Sequence, residues 1–488
     1  MSAPTQIRHL VAGDWQSGQG DSLLSVNPAH PGIVVAEGRG TDASVVDAAV
    51  AAATAASPAW AGAPIHQRGA VLLAAAEVVD RNTEPWGLEL ATEEGKTKAE
   101  GIGEVRRAAQ ILRYYGNEGD RQAGEIYASP RMGEQILITR KPLGVVGVIT
   151  PFNFPIAIPA WKIAPALVYG NTVVWKPAST VPLLAIRLAE ALTAAGLPAG
   201  VLNLLIGGAD VGDAIVSHAG VDAITFTGST GVGRRIAAAG AARGVPVQAE
   251  MGGKNAAVVL DDADVTLAVE QVMLGAFRST GQKCTATSRL IVTTGIAEQL
   301  LDELLALVAA LRVGDPTDDA TQMGPVISDS ARTSITSGID TATRQGATVL
   351  AGGAAYSDGP LADGYFVAPT VVDVGSAPVD LWTDELFGPV LAVRRADTAD
   401  EAFALANDSK FGLSAAVFTQ DVTRALQAVD RIDVGVLHIN SESAGADPHV
   451  PFGGAKKSGL GPKEQGGAAR EFFTHTTTVY LRGGRPGA

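Results

Sequence analysis

Cysteine is nearly absent from this 488-residue chain, since Cys284 is the only one. A single cysteine excludes an internal disulfide framework and is typical of a reducing compartment. The seven histidines are scattered without the spacing of a metal site. No stretch approaches about 18 uninterrupted apolar residues, which is what a membrane-spanning helix needs. We therefore expect a cytoplasmic protein with no bound metal and no contact with a membrane.

Basic residues are also scarce relative to acidic ones. The formal net charge is −14, and no cluster of Lys and Arg offsets it. Because nucleic-acid binding depends on basic patches, we expect no nucleic-acid partner. The opening residues Met1-Ser-Ala-Pro lack the basic and apolar regions of a signal peptide. The length predicts two or three domains of an ordinary globular protein.

Apolar strands alternate with helices from residue 145 onwards, which predicts a parallel α/β sheet. The strands are predicted at 145–150, 172–175, 201–206 and 223–226, and the helices at 182–195, 210–218 and 230–242. A second alternation contains a strand over 256–260 and a long helix that ends near Cys284. Before the first alternation, Ala-rich helices are predicted at 42–56, 67–81 and 100–115. Residues 118–140 and the Thr-rich C-terminal segment are predicted to be exposed strands.

A glycine-rich segment, Phe226-Thr-Gly-Ser-Thr-Gly-Val-Gly233, connects a predicted strand to a predicted helix. Unpaired N–H groups at a helix N-terminus attract phosphate. The spacing differs from the usual GxGxxG, so a turn without a ligand is equally compatible with this segment.

The segment around the cysteine is Ser279-Thr-Gly-Gln-Lys-Cys-Thr285. Gly281 allows a ligand to approach the backbone closely, and Lys283 places a positive charge beside the sulfur. A neighbouring cation lowers the pKa of a thiol from its usual ~8.5 and makes it nucleophilic. The alternative is a buried, unreactive cysteine. The polar and glycine-rich flanks favour the reactive thiol.

Seven motifs occur together between residues 150 and 454. They are Thr150-Pro-Phe-Asn-Phe-Pro155, Trp175-Lys-Pro177, Phe226-Thr-Gly-Ser229, Glu250-Met-Gly-Gly-Lys254, Gly281-Gln-Lys-Cys284, Asp384-Glu-Leu-Phe-Gly-Pro389 and Pro451-Phe-Gly-Gly454. With these motifs in this order, the chain resembles the aldehyde dehydrogenase superfamily over nearly its whole length.

This resemblance implies the α/β fold of that superfamily, in three parts. A Rossmann-type dinucleotide-binding domain would comprise residues 1–117 and 141–251, and an α/β catalytic domain residues 252–466. A small β oligomerisation element would comprise residues 118–140 and 467–488. Exposed edges of this kind tend to pair with a second subunit, so a homodimer or homotetramer is expected.

The resemblance also implies a mechanism. The thiolate of Cys284 would attack the aldehyde to give a thiohemiacetal, with the oxyanion held by the amide of Asn153 and the backbone N–H of Cys284. Glu250 matches the base that activates water for hydrolysis of the thioester. Lys162 and Glu464 match a charge pair near that base. The residues alone favour a turn residue at Asn153 and a surface charge at Glu250. For Lys162 and Glu464 they are equally compatible with a structural ion pair and with unrelated surface charges.

The cofactor residues follow from the same motifs. The resemblance places them as Thr150, Pro151, Phe152, Lys176, Ser179, Gly228, Ser229, Val232, Glu385 and Phe387. NAD-specific relatives usually have Glu three residues after the lysine, where this chain has Ser179. A carboxylate repels a 2′-phosphate, whereas a hydroxyl donates to it, so NADP is expected to be accepted as well as NAD.

Within the superfamily the chain resembles bacterial 2,5-dioxovalerate (α-ketoglutarate semialdehyde) dehydrogenases. Arg278 departs from their pattern and matches an arginine that binds the substrate carboxylate in succinate semialdehyde dehydrogenases. It is equally a surface arginine at the end of a helix. Trp161, Phe154 and Phe452 are expected to line the substrate tunnel, which leaves an aromatic aldehyde as an alternative substrate.

Two other classes of function are also compatible with the fold. A catalytically silent relative would serve as a scaffold, but this chain retains Cys284, Glu250 and Asn153 together. A relative that passes the acyl group to coenzyme A generally lacks the base that Glu250 represents.

Overall fold

The computed structural model describes residues 3–121 and 123–484. The remaining residues (Met1, Ser2, Gln122 and 485–488) belong to segments assigned above to the dinucleotide-binding domain and the oligomerisation element, and they lie outside the described residues. The N-terminal part consists of short strands followed by four helices. They are β1 (Thr5–Gln6), β2 (His9–Val11), β3 (Asp14–Gln16), β4 (Ser22–Asn27), β5 (His30–Arg39), α1 (Ser44–Gly62), α2 (Ile65–Arg81), α3 (Thr83–Glu94) and α4 (Lys98–Gly116).

Helix α4 is positioned by its sequence at both ends. Thr97 and Glu100 form a capping box at its N-terminus, which satisfies backbone N–H groups that the helix itself leaves unpaired. At its C-terminus it packs closely on α2, because a Cβ atom added to Gly69 would lie 2.3 Å from the carbonyl oxygen of Gly116.

Residues after α4 form the predicted hairpin, β6 (Glu125–Ala128) and β7 (Glu134–Pro142), preceded by a 3₁₀ turn at Glu118–Asp120. The first alternation of strands and helices follows. It consists of β8 (Val145–Ile149), α5 (Ala157–Val168), β9 (Thr172–Lys176), α6 (Leu183–Ala194), β10 (Leu202–Leu204), α7 (Ala209–Ser217), β11 (Ala223–Thr227), α8 (Thr230–Arg243) and β12 (Val247–Glu250).

The second alternation builds a separate sheet. It consists of β13 (Asn255–Val259), α9 (Val265–Phe277), β14 (Thr287–Thr293), α10 (Ala297–Ala310), α11 (Asp329–Arg344), β15 (Thr348–Ala351), β16 (Thr370–Asp373), α12 (Asp380–Thr383), β17 (Val390–Ala396), α13 (Ala399–Asn407), β18 (Phe411–Gly412), β19 (Ser414–Phe418), α14 (Val422–Arg431) and β20 (Val436–Ile439), with 3₁₀ turns at Arg278–Gly281 and Gly359–Leu361. The C-terminal elements are β21 (Ala455–Lys456), β22 (Gly459–Leu460), α15 (Ala468–Phe473) and β23 (Thr474–Arg482).

Two large sheets organise these elements. The first has eight strands in the order β22-β12-β11-β8-β9-β10-β2-β3, and its central five strands are parallel. The second has seven strands in the order β15-β16-β17-β14-β13-β19-β20, parallel except for β15. Apolar cores cover both faces of each sheet. The expected α/β fold is confirmed.

A short segment of the chain connects the two sheets next to the candidate active site. Strand β12 ends at Glu250, and β13 of the other sheet begins at Asn255, so only residues 251–254 separate them. The C-terminal segment returns to this junction, because β22 pairs with β12. Strand β23 then pairs along its whole length with β7 in a three-stranded sheet that includes β6. Across residues 3–121 and 123–484, no helix is long and apolar enough to cross a membrane.

Candidate active site

The segment before Cys284 is a strained turn rather than a continuing helix. Helix α9 ends at Phe277, and Ser279, Thr280 and Gly281 then have φ of +51°, +54° and +67°. The prediction of a long helix ending near Cys284 is therefore wrong. A left-handed conformation costs a residue other than glycine ~1 kcal/mol or more, so neighbouring contacts must hold it.

Those contacts come from several elements. The N–H of Ser279 donates to Glu100 Oε1 at 2.7 Å, and the hydroxyl of Thr280 donates to a backbone carbonyl at 3.1 Å. A Cβ atom added to Gly281 would lie 2.2 Å from the carbonyl oxygen of Gly388. Asn255 Nδ2 donates to the carbonyl oxygen of Cys284 at 2.8 Å. The turn is thereby fixed to α4 and to the start of β13.

Cys284 lies partly exposed on a cavity of about 380 Å³. Burial, together with the charges of Glu385, Glu250 and Glu464, raises the pKa of its thiol to about 12. The prediction that Lys283 makes this thiol more acidic is wrong. Lys283 Nζ instead donates to the Leu274 carbonyl at 3.3 Å and to Glu442 at 3.5 Å. The resting thiol is protonated, so its attack on a substrate requires a base.

Glu250 is a buried carboxyl at the end of β12. Its Oε2 accepts the N–H of Gly454 at 2.8 Å, and a Cβ atom added to Gly453 would lie 2.3 Å from its Oε1. Burial first, and then the charge of Glu464, raise the pKa of Glu250. A surface charge at a strand end, the alternative considered above, does not describe this environment.

Lys162 and Glu464 form an ion pair in which both side chains are almost completely buried. Lys162 Nζ also donates to Thr225 Oγ1 at 2.9 Å, in the strand beside β12. Burial raises the pKa of Glu464, and its ion pair with Lys162 opposes that change. The charge of Glu464 acts on both Glu250 and Cys284. The structure thus brings the predicted pair together with the predicted base and nucleophile.

Asn153 is buried, and its Nδ2 donates to the carbonyl oxygen of Gln282 at 2.9 Å, two residues before the cysteine. Its own carbonyl accepts Lys96 Nζ at 2.7 Å. Lys96 is in turn paired with Glu104 at 2.6 Å. The Oε1 atom of Glu104 accepts the backbone N–H groups at the start of α5, at 3.1 and 3.2 Å.

Lys96 and Glu104 were not among the predicted site residues. Both side chains are almost fully buried, where an unpaired charge would be costly. Lys96 thus holds the backbone carbonyl of Asn153, while the side-chain amide of Asn153 holds the cysteine turn. The only signal in the sequence was a lysine among acids in Glu93-Glu-Gly-Lys-Thr97, before an Ala-rich helix.

The cavity extends from Cys284 between α4 and α5. Trp161 and Phe452 form its apolar side, with ring centroids 5.6 Å apart, and Phe154 and Arg278 also line it. All four predicted substrate residues therefore meet at one cavity. Arg278 is paired with Glu100 at 3.7 Å and with Glu442 at 3.4 Å. Two further lining residues, Arg107 and Glu442, were not predicted.

The predicted adenosine side of the cofactor site lies at the carboxyl ends of β8 and β9. Thr150 Oγ1 accepts the indole N–H of Trp175 at 2.9 Å, which fixes the start of the segment with Pro151 and Phe152. Burial lowers the pKa of Lys176, and the negative charge of Asp210 on α7 opposes that decrease. Ser179 is half-buried in the turn that follows β9.

The turn from β11 into α8 fits a phosphate. A Cβ atom added to Gly228 would lie 2.6 Å from the ring of Phe226, so a side chain does not fit there. The glycine leaves the backbone accessible to a ligand. Ser229 begins α8 without a side-chain cap, and Val232 lies half-buried in the first turn. The hydroxyls of Thr227 and Thr230 are buried without a hydrogen-bond partner in the described part of the chain. Unpaired N–H groups and orphaned hydroxyls suit the oxygens of a pyrophosphate.

The predicted nicotinamide side lies beside Glu250. Glu385 accepts the N–H of Gly253 at 3.1 Å, and burial raises the pKa of Glu385 to about 7. Phe387 has φ of +52° and packs edge-on against Phe152, with centroids 5.8 Å apart. Residues from the two sheets thus converge within one site.

A protein-family model described as the aldehyde dehydrogenase family matches residues 15–479. The chain belongs to the aldehyde dehydrogenase family. It is an oxidoreductase that oxidises aldehydes and uses NAD(P) as cofactor.

This aldehyde dehydrogenase is similar to named relatives over nearly its full length. It is 43% identical to the alpha-ketoglutaric semialdehyde dehydrogenase of Bacillus subtilis, over 97% of this chain and 98% of the relative. It is 39% identical to the 2,5-dioxopentanoate dehydrogenase of Saccharolobus solfataricus, over 96% of this chain and 98% of the relative. The crystal structure of PnpE in complex with nicotinamide adenine dinucleotide superimposes with a TM-score of 0.94, at 36% identity, covering 98% of each chain.

The dehydrogenase shows no grouping of His, Cys, Asp and Glu that would hold a metal ion within residues 3–121 and 123–484. The site contains one thiol, buried carboxyls and buried lysines.

Proposed function

We propose that this aldehyde dehydrogenase oxidises 2,5-dioxovalerate to 2-oxoglutarate. The observation that carries the proposal is the charge of the substrate cavity. Four cations line it, Lys96, Arg107, Arg278 and Lys283, against three carboxylates, although the chain as a whole has a net charge of −14. A local excess of positive charge attracts an anionic substrate. The similarity to α-ketoglutarate semialdehyde dehydrogenases supports the same choice.

The proposed reaction begins with proton transfer from Cys284. Glu250 is the carboxyl proposed to accept this proton, because its charge acts on Cys284 and burial raises its own pKa. The sulfur then bonds to the aldehyde carbon, and the carbonyl oxygen becomes an oxyanion. The amide of Asn153, anchored beside the cysteine turn, and the N–H of Cys284 stabilise that charge.

Lys176, Gly228, Ser229, Glu385 and Phe387 would hold the dinucleotide. When bound, the dinucleotide would supply the hydride acceptor, and loss of hydride from the substrate carbon would leave Cys284 acylated as a thioester. Glu250 would first pass the thiol proton to the carboxylate of Glu464, whose charge acts on it. Glu250 then takes a proton from a water molecule, and the resulting hydroxide adds to the thioester carbon. The C–S bond breaks, the acid is released, and the sulfur of Cys284 takes the proton back from Glu250.

A substrate panel tests this proposal. We expect kcat/KM for 2,5-dioxovalerate to exceed that for succinate semialdehyde several-fold and that for benzaldehyde at least about tenfold. An aromatic aldehyde is the second candidate, because Phe154, Trp161 and Phe452 form one side of the cavity. A clear preference for benzaldehyde would establish that candidate and overturn the first.

The absence of a carboxylate at Ser179 supports use of NADP as well as NAD. The exposed carboxylate of Asp210, which acts on Lys176, would oppose binding of the 2′-phosphate of NADP. We expect both cofactors to support turnover, and Asp210→Asn to raise kcat/KM for NADP a few-fold relative to NAD. A many-fold advantage of NAD in both proteins would contradict the role given to Ser179.

We also propose that the protein is a homodimer or homotetramer that pairs through the sheet of β6, β7 and β23. Strand β6 is an edge strand, and the side chains of Ile126, Tyr127, Tyr480 and Leu481 are exposed on this sheet. Light scattering gives the mass of the particle, and Ile126→Glu is expected to reduce it. A monomeric wild-type protein would exclude the proposal.

A further inference from the structure

We propose that Arg107, rather than Arg278, receives the carboxylate of the aldehyde substrate. This inference rests on the proposed function, because it concerns how an acidic aldehyde is held. It follows from where the partner of each cavity cation lies.

Two of the four cations that line the cavity are already bound to other groups of the protein. Lys96 is buried and bound to Glu104 and to the carbonyl of Asn153. Lys283 is buried and directed at Glu442 and the carbonyl of Leu274. Neither ammonium group can turn to a ligand without leaving a buried carboxylate or carbonyl unpaired, which is costly.

Arg278 lines the cavity, but two acids that line the same cavity neutralise its charge. Its guanidinium lies between Glu100 and Glu442, and both of these acids line the same cavity. The side chains of Glu100 and Glu442 are only 11% and 16% exposed, so they remain in place when a ligand enters. A substrate carboxylate that approached Arg278 would therefore meet two fixed negative charges.

Arg107 differs in the position of its partner. Its guanidinium is paired with Asp447 at 3.1 Å, and the side chain of Asp447 is 61% exposed and does not line the cavity. An exposed ion pair of this kind contributes only ~0–1 kcal/mol and exchanges readily for a better-placed anion. Arg107 is thus the cavity cation that can change partners at small cost.

Helix α4 directs this side chain into the cavity. Glu100, Gly103, Glu104 and Arg107 follow one another at the spacing of a single helix face, and all four line the cavity. Side chains on a helix lean towards its N-terminus, so Arg107 leans towards Gly103 and the turn that Glu100 holds. A Cβ atom added to Gly103 would meet nothing within 4 Å, which leaves room for the guanidinium or for the ligand.

The spacing also suits a substrate longer than two carbons. Arg107 lies about 10 Å along the helix axis from Glu100, which contacts the cysteine turn. A five-carbon aldehyde acid can extend from Cys284 towards the Arg107 side chain, where a guanidinium binds a carboxylate through two parallel hydrogen bonds.

The test compares 2,5-dioxovalerate with pentanal, which has five carbons and no carboxylate. In the wild-type protein we expect kcat/KM to favour the acid at least about tenfold. Arg107→Met should lower kcat/KM for the acid about 30-fold through KM and change pentanal less than about twofold. Arg107→Lys should restore part of the loss, and Asp447→Asn, which frees the guanidinium, should raise kcat/KM for the acid two- to fivefold.

The outcomes separate the two proposals. If the wild-type protein prefers pentanal, the proposed function fails and this inference fails with it. If the wild-type protein prefers the acid, but Arg107→Met and Asp447→Asn leave that preference unchanged while Arg278→Met abolishes it, the inference alone is overturned. Thermal unfolding of each variant checks that the fold is intact, and pentanal turnover checks that the chemistry is intact.

Discussion

The ion pairs around the substrate cavity fall into two groups that differ in burial. We call Lys162–Glu464 and Lys96–Glu104 the inner pairs, and their side chains are at most 2% exposed. We call Arg107–Asp447 and Arg278–Glu442 the rim pairs, in which each arginine is 37% exposed or more.

The difference in burial predicts different roles for the two groups of ion pairs. Breaking a buried pair leaves an uncompensated charge at a cost of ~3–5 kcal/mol, so the inner pairs hold other groups in place. A rim pair loses little when it opens. Where its acid lies outside the cavity, as Asp447 does, the arginine can exchange that partner for a ligand. We therefore expect inner changes to affect kcat for every aldehyde, and rim changes to affect KM for acidic aldehydes only.

The largest effect on turnover is expected from replacing Cys284, the proposed nucleophile. Cys284→Ala removes the nucleophile, and steady-state turnover of every aldehyde should fall ~10⁴-fold or more. Formation of NAD(P)H, followed by absorbance, measures it, and circular dichroism controls for folding. Residual turnover near the wild-type level would rule out covalent catalysis by this thiol.

Glu250→Gln is expected to lower kcat ~10²–10⁴-fold, because a general base is lost from both proton transfers. In the wild-type protein the raised pKa of Glu250 should make activity fall as the pH drops through that pKa, since the protonated carboxyl accepts no proton. The variant should lose this dependence. A pH–rate profile unchanged by the substitution, or full steady-state activity, would remove Glu250 as the base.

Lys96→Met tests whether an inner pair positions the oxyanion donor. We expect kcat to fall about tenfold for acidic and neutral aldehydes alike, because Asn153 loses the anchor of its carbonyl. The matched control is Lys98→Met, since Lys98 lies on the same segment and pairs with the exposed Asp319.

The double variant of Lys96→Met with Asn153→Ala distinguishes positioning from general stability. If Lys96 acts through Asn153, the second substitution adds little to the first. Full additivity of the two losses in kcat would show that Lys96 does not act through Asn153.

The helices and strands that could be predicted from the sequence are those with a clear hydrophobic period. The strands and helices that were predicted between residues 145 and 243 lie close to their predicted bounds, because the strands are mainly apolar and each of these helices is bounded by turn residues. Helix α5 was not predicted. All of its residues are buried, so it has no polar face to give a period, and Pro159 and Pro165 lie within it.

The contacts that the sequence did not predict are long-range. The end of α9 at Phe277 depends on Glu100, which accepts the N–H of Ser279 from 179 residues away. Likewise Lys96 becomes a site residue only because α4 brings Glu104 beside it and the loop of Asn153 beside both. The motifs therefore located the reactive residues, whereas the charges that hold them could be seen only in the folded chain.

Glu94→Gln tests how buried acids near the inner pairs affect stability. Glu94 Oε1 is buried without a hydrogen-bond partner among the described residues, and burial, opposed by Lys96, raises the pKa of Glu94 from 4.5 to about 8. A carboxyl with a raised folded pKa favours the folded state below pH 4.5 and loses that contribution as the pH rises through about 8. The variant should thus be more stable than the wild type at pH 9, on the order of 1–3 kcal/mol, and similar at pH 5. Denaturant unfolding at both pH values measures this, and equal stability at pH 9 would contradict the raised pKa.

Glu442→Gln gives the smallest expected effect and tests the rim alone. The substitution removes one of the two charges that neutralise Arg278, so kcat/KM for acidic aldehydes should rise about two- to threefold while pentanal is unaffected. Because the Arg278–Glu442 contact is partly exposed, the free energy of unfolding should change by less than ~1 kcal/mol. A fall in kcat for pentanal would instead place Glu442 with the inner group, since Lys283 beside Cys284 would then depend on it. Substrate-specific kinetics thus distinguishes a charge that selects the ligand from one that holds the nucleophile.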